Sequence, residues 1–157
     1  MRFVSFMVAV FLSLGILQAG NVSARDLTQE ELELAGIYVH CPYNDMYACE
    51  GVREIVRTVY TKVGYSDVAQ GLLGQLEILT LLAATENGNP TATFSSPDKG
   101  FVNDLLWGAK DGKITLLRQS TKSVSTFRAE PGQLVGSEGL YVRAFSDAEL
   151  NELHTDG

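Results

Sequence analysis

The chain has 157 residues, 45% of them hydrophobic and 20% charged, with 12 Lys plus Arg against 19 Asp plus Glu and a formal net charge of -7. That length and apolar content suffice for one domain with a proper core. The acidic balance argues against a tightly bound polyanion or an anionic membrane surface as the general partner.

Met1 to Ala24 reads as a secretory signal peptide: Arg2 supplies the positive start, Phe3 to Leu17 is an uncharged apolar run, and Val22-Ser23-Ala24 is a small-residue cleavage site. The run is shorter than the roughly 20 residues of a membrane-spanning helix. Residues 25–157 are expected to form a single secreted domain. With the leader gone the chain loses Arg2 and no acid, so it becomes more acidic still.

Thr28-Gln-Glu-Glu31 is a capping box, with Leu27 and Leu32 placed as its hydrophobic staple. It predicts a short helix over about Gln29 to Ala35, ended by Gly36, and then a brief strand over Ile37 to His40. The two cysteines, Cys41 and Cys49, flank a turn-forming stretch with Pro42, Asn44 and Asp45, so an exported chain is expected to close them into one local disulfide. A metal or catalytic thiol is disfavoured. The histidines, His40 and His154, do not stand at zinc-ligand spacing with the cysteines, and no CxxC pair is present.

Val52, Ile55, Val56, Val59 and Val63 recur at helical spacing with Tyr60 beside them, while Arg53, Glu54, Arg57, Thr61 and Lys62 fall on the other face. This predicts the amphipathic helix against which a core forms. A second helix is expected from Ser66 to Ala84, on Val68, Leu72, Leu76, Leu79 and Ala83, although Leu76 to Leu82 reads equally well as a buried strand. After Asn87-Gly-Asn-Pro90 the pattern becomes one of strands: Thr91–Phe94, Phe101–Trp107, Ile114–Gln119, Ser123–Arg128 and Leu140–Phe145, divided by Gly- and Pro-rich turns too short for crossover helices. Ser146-Asp-Ala-Glu149 is a last capping box opening a terminal helical turn. Together these predict an α+β fold: N-terminal helices packed on an antiparallel sheet of four to five short strands, with one local disulfide.

No phosphate loop, GxSxG elbow, HExxH or paired DxD is present. No catalytic residue, metal ligand or cofactor is assigned. His40 reads as a half-buried side chain and Glu77 as an exposed carboxylate, which burial would raise in pKa. Between Lys110 and Arg128, five cations face one acid, Asp111. They are either scattered solvated charge or a basic strip. Partner recognition is expected on the loops and strand edges that carry Trp107, Lys110, Lys113, Arg118, Lys122 and Arg128.

Tyr47-Ala48-Cys49, soon after a leader and followed at once by an amphipathic helix and then strands, resembles the secreted ribonuclease-like effectors of powdery mildew fungi. The segment from Ser123 to Gly136, a strand running into Glu130-Pro-Gly132, is similar to a hairpin of the small guanine-specific fungal ribonucleases. The resemblance implies a secreted, ribonuclease-like scaffold that binds a host protein and modulates host immunity, with RNA possible but not favoured. Active members of that fold use histidine on the sheet, and no histidine lies between His40 and His154, so no enzymatic activity is expected. The alternative is a bacterial periplasmic inhibitor or immunity protein that blocks a toxin or enzyme. Either way, no membrane contact is expected after the leader is removed.

Overall fold

A computed structural model of the chain describes residues 27–42, 46–63, 71, 73–86, 88–137 and 139–156. The expected leader, Tyr43 to Asp45 and Ser66-Asp67 lie outside the described residues. The chain divides into two compact units. The smaller comprises Met1–Asp26 with Thr85–Asn89, and the larger, Leu27–Ala84 with Pro90–Gly157, carries the architecture that follows.

The elements run α1 (Gln29–Leu34), β1 (Gly36–His40), α2 (Met46–Thr58) continued by a π-helical turn (Val59–Val63), β2 (Ile78–Glu86), β3 (Asn89–Ser96), β4 (Gly100–Lys110), β5 (Lys113–Arg118), β6 (Val124–Glu130), β7 (Gln133–Gly136), β8 (Gly139–Ser146) and α3 (Asp147–Asp156). The strands follow one another round a closed barrel of eight, and β1 returns to pair antiparallel with β8. This corrects the expected α+β layout of helices on an open sheet of four to five strands. Closure removes both sheet edges, so each strand satisfies its backbone on two sides.

Two unexpected strands, β2 and β7, and the pairing of the expected strand β1 with both β2 and β8 account for the correction. The expected helix from Ser66 to Ala84 gives way to β2, in which Leu79 and Leu81 are buried in the barrel while Ile78 is buried against α2. Its apolar residues serve two cores, so their spacing mimics a helical face. Only Gly71 and Leu73 of that segment are described as helical. β1 is buried along nearly its whole length, for the same reason: Tyr38 enters the barrel and Ile37 and Val39 lie under α2. β7, four residues long, is too short to show a period of its own.

The barrel interior holds Tyr38, Leu79, Leu81, Leu105, Trp107, Ile114, Leu116 and Leu134. A second core lies outside the barrel wall, where Val52 and Val56 of α2 cover Ile37, Val39, Val142 and Phe145. Ile55, expected on the same face, is exposed. The disulfide Cys41–Cys49 closes the approach to α2, with Cα atoms 4.6 Å apart and both cysteines fully buried in that outer core. Between Ile37 and Tyr38 the register against β8 shifts, setting Phe145 and Arg143 opposite these neighbours and leaving Ala144 between them. Arg57 donates to the Ala144 carbonyl at 2.6 Å and Arg53 to the Arg143 carbonyl at 3.0 Å. The polar face of α2 thus supplies donors where the strand ladder is irregular.

Both capping boxes form: Glu31 N–H donates to Thr28 and Thr28 N–H to Glu31, and Ser146 and Glu149 do the same. α1 closes one end of the barrel. Glu30 accepts from the backbone N–H groups of Asp111 and Gly112, and Glu31 accepts from that of Ala109. At this end the β4–β5 connection is a two-residue turn, Asp111 (φ 54) and Gly112 (φ 79), as a tight hairpin requires. At the other end the β3–β4 and β5–β6 connections, residues 97–99 and 119–123, are longer, and the barrel stays open.

Candidate functional site: the barrel mouth

The open end leads into a cleft of about 210 Å³. Its floor is apolar, made by inward residues of five strands: Leu79, Phe94, Val102, Leu105, Leu116 and Phe127. Strand side chains alternate, so every second position of a barrel strand meets the interior, and a register shift between β3 and β4, where Ala92 pairs with Leu105 and Phe94 with Val102, brings both Val102 and Leu105 inward. The rim is polar and comes from strand ends and turns: Glu77 ahead of β2, Lys99 before β4, Arg118 at the end of β5, and the hydroxyls of Ser123, Ser125 and Ser137.

The charges on this rim are arranged by side. Glu77 accepts from the Tyr141 hydroxyl at 3.2 Å and lies 3.7 Å from His40 Nδ1, and the His40 ring meets Tyr141 edge-on at 5.1 Å. Arg118, three strands further round the barrel, donates from Nε to Asp104 at 3.3 Å. Hydrogen bonding from Ser120, whose backbone N–H is 3.1 Å away, holds the Asp104 carboxyl below the ordinary carboxylate range, and Arg118 adds to that effect. Lys99 makes no ion pair among the described residues. The mouth therefore has one carboxylate engaged with its neighbours, one arginine oriented by an acid, and one ammonium left to solvent.

The sequence-predicted partner residues fall into three places. Trp107 is fully buried in the barrel and its indole N–H donates to the Leu82 carbonyl at 3.0 Å. It is a core residue that presents no surface, a correction to its expected role. Arg118 is at the mouth, and Lys122 follows it in the β5–β6 connection with φ 63. Lys110, Lys113 and Arg128 lie near the opposite end: Lys110 pairs in register with Lys113, and Lys113 with Arg128. All three are exposed, and Arg128 is bonded to Glu130 at 2.7 Å. The linear basic strip is thus two separate features, a mouth pair and a three-strand row.

Among the tyrosines, Tyr38 and Tyr141 are buried, Tyr60 packs against Phe145, and Tyr47 is exposed. The sequence reading missed the apolar floor and Lys99. The floor residues are individually ordinary core residues, and only barrel closure leaves space between them. Among the described residues no group of His, Cys, Asp and Glu is placed to hold a metal, and no helix is long and apolar enough to cross a membrane. No family model, curated protein or solved structure matches the chain.

Proposed function

We propose that this chain is an exported, non-enzymatic binding protein that holds a small amphipathic molecule in the mouth of its barrel. The observation that carries the reading is the cleft itself: an apolar floor enclosed by barrel strands, open at one end, with a few polar groups on its rim. Eight strands leave an interior that side chains just fill or that takes one small ligand, and apolar pockets with few convergent polar groups are the usual form of a small-molecule site. Export is supported by the leader pattern at Met1 to Ala24 and by the Cys41–Cys49 bridge. Binding without turnover is part of the reading, in which both cysteines are joined in the bridge and neither serves as a thiol nucleophile.

Chemical-shift mapping with a panel of small amphipaths tests it. Saturable shifts are expected at Leu79, Val102, Leu105, Leu116 and Tyr141, and Leu116→Trp should abolish them by filling the cleft. Shifts scattered over the outer surface, or none at all, would remove the reading.

A second reading retains a protein partner, as in an effector acting on a host protein or a periplasmic inhibitor acting on a toxin. One observation favours it: Lys110, Lys113 and Arg128 stand in register across β4, β5 and β6 on an acidic protein, a surface complementary to an acidic patch. Reversing the charge with Lys113→Glu should abolish capture of such a partner while leaving the mouth competent, and unchanged capture would eliminate this second reading.

A further inference from the structure

The two sides of the mouth differ in what they leave unsatisfied. On the Glu77 side the carboxylate already has Tyr141 and His40 as neighbours. On the other side Lys99 is exposed and without an ion pair among the described residues. Its backbone N–H donates to Ser96 Oγ at 3.0 Å, which fixes the turn that carries it. Arg118 has only its Nε engaged, by Asp104, and its two terminal nitrogens make no hydrogen bond among the described residues. Asp104 therefore orients the guanidinium without occupying its fork, the part suited to a carboxylate or phosphate. Ser123 and Ser125, on the same side, add hydroxyls to the lining.

We infer that the ligand is an organic anion with a compact apolar body, its acidic head received by Lys99 and the Arg118 fork and its body lying on Leu79, Val102, Leu105 and Leu116. This inference rests on reading the mouth as a small-ligand site and adds the ligand's charge and direction. The Glu77 carboxylate reinforces the direction, because it repels an anionic head from the far wall. The cleft, at about 210 Å³, matches the apolar body of a medium-chain or aryl acid. On a protein of net charge -7, overall repulsion slows the approach of an anion, so the preference must come from the local pair of cations and weaken as salt is added.

Isothermal titration of the mature, oxidised chain with octanoate, 1-octanol and octylamine at low salt separates the outcomes, since the three share one apolar chain and differ in head charge. Octanoate is expected to bind about tenfold more tightly than octanol, and octylamine most weakly. Lys99→Ala, an exposed turn position that the fold does not depend on, should remove most of the octanoate advantage and leave octanol unchanged. Equal binding of all three would overturn the anionic head and leave the small-ligand reading standing. A preference for octylamine would make Glu77 the anchor and overturn the assignment. An octanoate preference that survives Lys99→Ala would overturn the role given to Lys99, and binding of none of the three would remove the small-ligand reading itself.

Discussion

Burial raises the Tyr38 phenol above its ordinary value, an effect only partly offset by Arg143, which donates to its oxygen at 2.9 Å. Glu149 is shifted the other way: the Ser146 backbone N–H bonds its carboxylate at 2.9 Å and Arg57 lies at 3.2 Å, holding its pKa below the usual carboxylate range. The signs follow from linkage. A depressed carboxyl contributes stability that is present above its unfolded pKa and lost as pH falls through the lower folded value. A raised phenol contributes stability that is present below its unfolded pKa and lost as pH rises through the higher folded value. Thermal melting is therefore expected to be flat near neutrality, falling below about pH 4.5 and above about pH 10. Glu149→Gln, which keeps the capping acceptor, should soften the acid limb, and Tyr38→Phe the alkaline limb. An acid limb unchanged by Glu149→Gln would contradict the Glu149 assignment. At this scale the sequence is legible where contacts are local, as in the two capping boxes. It is silent where contacts are distant, because nothing near Trp107 in the chain says that its indole reaches Leu82, or that Arg57 reaches a carbonyl on β8.

The row of cations across β4, β5 and β6 is an element-scale feature that the sequence only half shows. The excess of Lys and Arg between 110 and 128 is visible, but register decides which of them meet, and register places Lys110, Lys113 and Arg128 side by side while Arg118 goes to the other end of β5. Like charges directly opposite on neighbouring strands cost stability, and of the three only Arg128 forms an ion pair among the described residues. Lys113→Glu is accordingly expected to stabilise the protein by up to about 1 kcal/mol in urea denaturation, and a loss of stability would show that the row is not repulsive. Of the antiparallel strands after Pro90, all but the four-residue β7 were legible, because alternation and Gly or Pro turns mark them. β2 was legible only as one of two readings, since a strand with apolar residues on both faces loses the period of two, and the run from Leu76 to Leu82 reads as helix or strand alike.

For the whole molecule, closure decides everything described above. It explains why so short a chain has two cores, one inside the barrel and one between its wall and α2, and why the disulfide lies in the outer one. It also creates the mouth, which no local motif encodes, because its lining comes from residues between 77 and 141. At the seam, Gly36 stands opposite Ser146 with φ 156, and a Cβ there would overlap the Phe145 carbonyl oxygen, so the approach of β1 to β8 depends on glycine. The sequence announced a glycine after α1 but gave no sign that it closes a barrel. The most direct test is the seam itself, by hydrogen exchange and cross-strand NOEs on the oxidised chain. The closed barrel predicts slow exchange along β1 and contacts joining Val39 to Val142 and His40 to Tyr141. Fast exchange along β1, with those contacts missing, would mean an open sheet edge and would contradict both the barrel and the mouth built on it.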